Sequence, residues 1–139
     1  MSCTVYVSVR KKKVSEQKIQ DIVDSLLRTL KKKGEVSVHV IGDKKMRTLN
    51  AAHRGKNRPT DVLSFPVEES WGSEQEFGDI FICLPQIFRQ SRQYNIPFFE
   101  EFVRMLTHGT LHLLGYDHEK PADAQEMFSL QEKYVKEWI

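Results

Sequence analysis

Five histidines occur in this 139-residue chain, and three fall in one short stretch, HGTLHLLGYDH, at His108, His112 and His118. Neutral imidazole is a frequent metal ligand. Residues four apart on a helix stand one above the other, so His108 and His112 point the same way from one face. Gly115 then stops the helix as a glycine just past a helix end does, and the chain can turn back. That turn can bring His118 to the same point in space. Three converging nitrogens are the ligand set of a catalytic zinc site, which keeps a fourth position for water or substrate. A structural zinc closes its shell with four ligands, mostly cysteine, and neither Cys3 nor Cys83 lies near the histidines in sequence. Three imidazoles suit zinc and leave nickel, cobalt or copper open. Asp117 reads as a turn residue or as a partner that orients a ligand.

The spacing H-x3-H-x2-G-x2-H is also that of metzincin peptidases. Those enzymes place a glutamate directly after the first histidine as general base, and here that position is Gly109. A glycine inside a helix costs about 1 kcal/mol relative to alanine, so it has a reason, and close packing is the simplest. The metal geometry is kept and the peptidase base is absent.

A second informative stretch is LNAAHRGKNRPTDVLSFP, Leu49 to Pro66. Arg54, Lys56 and Arg58 alternate on a glycine- and proline-punctuated loop over 51–60 and can form one cationic surface. Guanidinium donates two parallel hydrogen bonds to phosphate. A metal polarises a phosphoryl oxygen or activates water, and an arginine neutralises the charge that grows in the transition state. The pair would suit phosphodiester cleavage, with Arg54 stabilising charge and Lys56 and Arg58 seating the backbone. The plain alternative is a solvated basic loop. No general base is legible; zinc lowers the pKa of its water to roughly 7, so that water could serve.

The elements that must position these groups follow from periodicity. Residues 3–9 alternate as a strand. Ser15 caps a helix carrying Ile19, Ile22, Val23, Leu26, Leu27 and Leu30, which Gly34 ends. Val36, Val38 and Val40 form a second strand. A short helix over 44–50 takes Asp43 as its cap. Strands follow at 61–66 and 79–84, separated by a polar, exposed loop over 67–77. Pro85 opens a helix running to Tyr94. Pro97 opens the next, whose buried stripe is Phe99, Phe102, Leu106, Gly109 and Leu113. Pro121 begins the last, with Met127, Leu130, Tyr134 and Trp138 apolar. The order βαβαββααα predicts a single α+β domain over 1–139, with a mixed sheet of about four strands and about five helices.

Composition sets outer bounds. The length fits one domain with a proper core, and 40% hydrophobic residues exclude a disordered chain. Cys3 and Cys83 read as small core residues in a reducing compartment. No secretory signal or membrane span is visible, which points to the cytoplasm. Net charge is only +2, yet residues 1–60 hold fifteen Lys and Arg against five acids. That asymmetry suggests an anionic partner.

Taken in order, LN…RG…PTDVLSFP, then GDI at Gly78–Ile80, then HGTLHLLGYDH resemble the YbeY family of bacterial endoribonucleases, the rRNA maturation factors, across residues 46–118. The resemblance implies zinc held by His108, His112 and His118. It implies a single-strand-specific endoribonuclease that matures small-subunit rRNA and serves ribosome quality control, with rRNA, the small subunit and its proteins as partners. The family's important arginine, in an aromatic-Arg-Gly sequence, falls on Arg54. His53 stands where the family usually has Tyr or Phe; it could stack on a base and is not expected to be a ligand. His39, in a strand, reads as structural. Two other readings stand beside this one: a ribosome-associated RNA-binding module with a structural metal, and a metal-dependent hydrolase of another substrate, such as a peptide.

Overall fold

Alternating apolar positions build four strands: β1 (Cys3–Val7), β2 (Glu35–Ile41), β3 (Val62–Pro66) and β4 (Glu76–Cys83). Five helices separate and follow them: α1 (Glu16–Thr29), α2 (Asp43–Arg54), α3 (Leu84–Gln93), α4 (Phe98–Leu113) and α5 (Pro121–Lys136). This computed structural model describes residues 3–9, 14–67 and 75–139. The order is the expected βαβαββααα. The sheet runs β1-β2-β4-β3. Its first three strands are mutually parallel, and β3 pairs antiparallel with β4 at the edge.

Strand alternation sends side chains to two faces. Val36, Val38, Val40, Ile80 and Ile82 join the larger core with Phe102, Leu106 and the apolar face of α1. Ile41, Leu63 and Cys83 join Met46 of α2 in a smaller cluster on the other face. The long helix α4 packs against β3, β4, α1, α3 and α5, with Phe102, Leu106, Gly109 and Leu113 of the expected stripe buried and Phe99 partly so. The Tyr134 hydroxyl donates to the Ile22 carbonyl at 3.1 Å and ties α5 to α1.

The element ends differ from the sequence reading in four places. Ser15 caps α1 as expected, its hydroxyl accepting from the Lys18 amide at 3.1 Å. The helix stops at Thr29, however, and Lys31 takes the left-handed turn with φ 56°. Gly34 instead serves close packing: a Cβ there would lie 2.6 Å from Phe77 Cε2 and 2.7 Å from the Gln75 carbonyl oxygen. Asp43 is not the cap of α2; Gly42 holds that position. The Asp43 carboxylate accepts two hydrogen bonds from Arg89, at 3.0 and 2.8 Å, and one from the Cys83 thiol at 3.3 Å. Helix α2 also continues through Ala51–Arg54, expected as loop. Of the expected loop over 67–77, residues 68–74 lie outside the described residues, while Glu76 and Phe77 already belong to β4. Both cysteines are buried and free, and burial pushes each thiol up to about 12. No helix among the described residues is long and apolar enough to cross a membrane.

Candidate metal centre

Gly109 determines how α4 sits. A Cβ at this position would lie 3.0 Å from Val62 Cγ2, 3.1 Å from Ile80 Cγ2 and 3.2 Å from Ser64 Oγ. The Ser64 hydroxyl donates to the Gly109 carbonyl at 2.9 Å. The helix therefore rests directly on β3 and β4, as the close-packing reading anticipated. A glutamate at 109 would send its side chain into the sheet.

One turn further, α4 ends and the chain reverses. Gly115 takes φ 98°, a left-handed conformation that disfavours a side chain. The Tyr116 amide donates to the Leu111 carbonyl at 3.0 Å. Asp117 Oδ1 accepts from the amides of His118 at 2.7 Å and Glu119 at 3.3 Å, so Asp117 is the turn residue. The result brings His108, His112 and His118 together, one ring nitrogen of each lying within 4.8 Å of the others. His108 Nε2 and His112 Nε2 are 3.1 Å apart. Two nitrogens on a tetrahedral zinc at Zn–N of about 2.0–2.1 Å stand about 3.3 Å apart. The observed pair matches that spacing, and the three-histidine group could hold a metal ion.

The electrostatics favour the ligand state. Burial lowers the pKa of His108, partly opposed by its hydrogen bond with Gln131. Burial also lowers that of His112, assisted by the two neighbouring histidines. Both shifts favour the neutral ring, the form that binds metal. His108 Nδ1 lies 2.8 Å from Gln131 Oε1, an oxygen that only accepts.

The group opens onto a cleft of about 670 Å³. Its walls include His53 and Arg54 from the end of α2, Asp61 and all of β3, and Phe128 and Gln131 from α5. Arg54 thus shares the cleft with the three imidazoles, presented from a helix end and not from a loop. Lys56 and Arg58 are exposed and do not line it. Their segment is held from below by Asn50, whose Nδ2 donates to the Arg58 carbonyl at 2.8 Å. His53 lies edge-on to Phe65 at 4.7 Å between ring centroids. His39 is stacked between Tyr6 and Phe81 and meets Asp79 at 2.8 Å, and it does not belong to the three-histidine group.

Phe128 and Gln131 were not singled out in the sequence. Gln131 does leave a trace there. It falls four after Met127 and three before Tyr134, where an all-apolar stripe would need an apolar residue, and it is buried. Phe128, half exposed, lies nearly parallel to the His118 ring at 6.2 Å.

Fold and site together define a class: a small α+β protein with a candidate three-histidine metal centre set in an arginine-bearing cleft. The profile of one family, described as Endoribonuclease YbeY, matches residues 5–139, and this chain belongs to that family. The Endoribonuclease YbeY of Aquifex aeolicus (strain VF5) is 39% identical over 132 residues, covering 94% of this chain and 88% of that protein. That of Sulfurihydrogenibium sp. (strain YO3AOP1) is 40% identical over 128 residues, covering 90% and 84%. The solution structure of TM1509 from Thermotoga maritima is similar, with a TM-score of 0.68 and 30% identity over 96% of this chain and 88% of that one.

Proposed function

We propose that this protein is a zinc-dependent endoribonuclease that cuts single-stranded RNA, acting in the cytoplasm on small-subunit rRNA during its maturation and in ribosome quality control. The observation that carries the reading is the meeting of His108, His112 and His118 on a cleft that also bears Arg54, in a chain of a family named for endoribonuclease activity. The three imidazoles would hold the ion, which supplies Lewis acidity toward a phosphoryl oxygen and acidifies water.

The chain's own groups do the rest. Arg54 donates paired hydrogen bonds to the phosphate and sets positive charge where negative charge grows. Lys56 and Arg58, two and four residues on, meet phosphates outside the cleft. Phe128 offers a half-exposed ring on which an unstacked base can lie, the ordinary means of reading single strands. A peptidase reading is weakened by Gly109, because the sheet occupies the space a general-base glutamate would need.

Substituting His112→Ala tests the core of the proposal. The variant should lose both bound zinc and cleavage of a defined single-stranded RNA. Wild-type cleavage by a metal-free variant would reject it. RNA binding should also weaken steeply with salt, since phosphate contacts release counterions.

A further inference from the structure

The metal reading leaves open what orients the ligands, and the polar contacts between α4 and α5 address this. His108 Nδ1 meets Gln131 Oε1 at 2.8 Å. The Gln131 amide nitrogen donates to Glu132 Oε2 at 3.1 Å. Glu132 in turn accepts two hydrogen bonds from Arg104, both at 2.9 Å. Arg104 stands one helical turn before His108 on α4. The contacts therefore close a ring that leaves α4 at Arg104, crosses to α5 and returns to α4 at His108.

We infer that Gln131 is a positioning residue that fixes the His108 tautomer and turns its Nε2 lone pair toward the ion. Arg104 clamps the Glu132 carboxylate, which can only accept. A flipped Gln131 amide would set its oxygen against that carboxylate, two acceptors with no proton between them. The amide nitrogen must face Glu132, so the amide oxygen faces His108. An oxygen there requires the proton on Nδ1, and Nε2 is left bare for the ion. Metal-ligating histidines commonly rely on such an outer partner for ring orientation and basicity. Gln131 is only 5% exposed, which limits competition from water at its amide. The inference rests on the metal reading above and is independent of the RNA substrate.

Two measurements test it. Imidazole nitrogen shifts in the metal-free wild-type protein should show His108 as the Nδ1–H tautomer. Zinc affinity, from competition with a chromophoric chelator, should fall about tenfold to a hundredfold in Gln131→Leu. Gln131→Glu combined with Glu132→Gln keeps an acceptor toward His108 and a donor between the two side chains, and should bind zinc within a few-fold of wild type. An Nε2–H tautomer in the wild type overturns the inference, and this result is available even if Gln131→Leu fails to fold. Wild-type zinc affinity in Gln131→Leu, or an equal loss in both variants, also overturns it. A chain that binds zinc as expected and cuts no RNA refutes the substrate reading alone. A wild-type chain that binds no zinc overturns both.

Discussion

His108 and His112 owe their use to a helix turn, His118 to a glycine and an aspartate that fold the chain back. The three imidazoles were legible in the sequence because they are near one another in it. Four-residue spacing and a glycine stop are local geometry, so the triad could be read directly. Gln131 and Phe128 could not, because they meet the imidazoles only through the packing of α5 on α4. Base stacking on an aromatic side chain contributes about 1–3 kcal/mol. Phe128→Ala should therefore raise the KM for single-stranded RNA about 5- to 150-fold with zinc content unchanged. An RNA with an abasic nucleotide at the stacked position should be indifferent to the substitution. Equal losses on both RNAs would remove the stacking role.

Helices and strands were legible in number and order because apolar periods of 2.0 and 3.6 are strong signals here, as in Val36–Val40 and Phe102–Leu113. Their ends were less so, because side-chain competition over a longer range decides them. Asp43 looked like a cap, yet Arg89, 46 residues away, takes its carboxylate. Gly34 looked like a helix stop, yet Phe77 claims the space beside it. Lys31 carries the left-handed turn instead, at a cost of about 1 kcal/mol for a residue with a Cβ. Lys31→Gly should then raise stability by up to about 1 kcal/mol, and Gly34→Ala should lower it by about 1–3 kcal/mol through overpacking. Urea midpoints of the two variants check both signs.

The Asp43–Arg89 pair gives a pH dependence to the junction of α2 and α3. Arg89 holds the Asp43 carboxyl below its ordinary value. The pair's contribution is therefore complete above the unfolded carboxyl pKa of about 3.9 and disappears as pH falls through the lower folded value. Asp43→Asn should flatten the loss of stability below about pH 4, measured by chemical denaturation across that range. A slope identical to wild type would show that the ion pair contributes nothing. The expected effect is modest because the pair is partly exposed.

At the scale of the whole molecule, the α+β class and the mixed sheet followed from element order, but the order of strands within the sheet did not. Nothing local says that β4 lies between β2 and β3; that depends on which apolar faces α1, α2 and α4 can cover together. This placement has a consequence for how the chain assembles during synthesis. The central strand leaves the peptidyl tunnel after both of its neighbours, so β3 has nothing to pair with until residue 83 has emerged. A fragment ending at residue 75 should show no cooperative unfolding transition by circular dichroism, and a sharp transition would contradict this sheet order. The three imidazoles that could hold a metal ion lie beyond that point, in the last third of the chain. An ion bound there would not nucleate the early collapse and would only lock a scaffold that is already built.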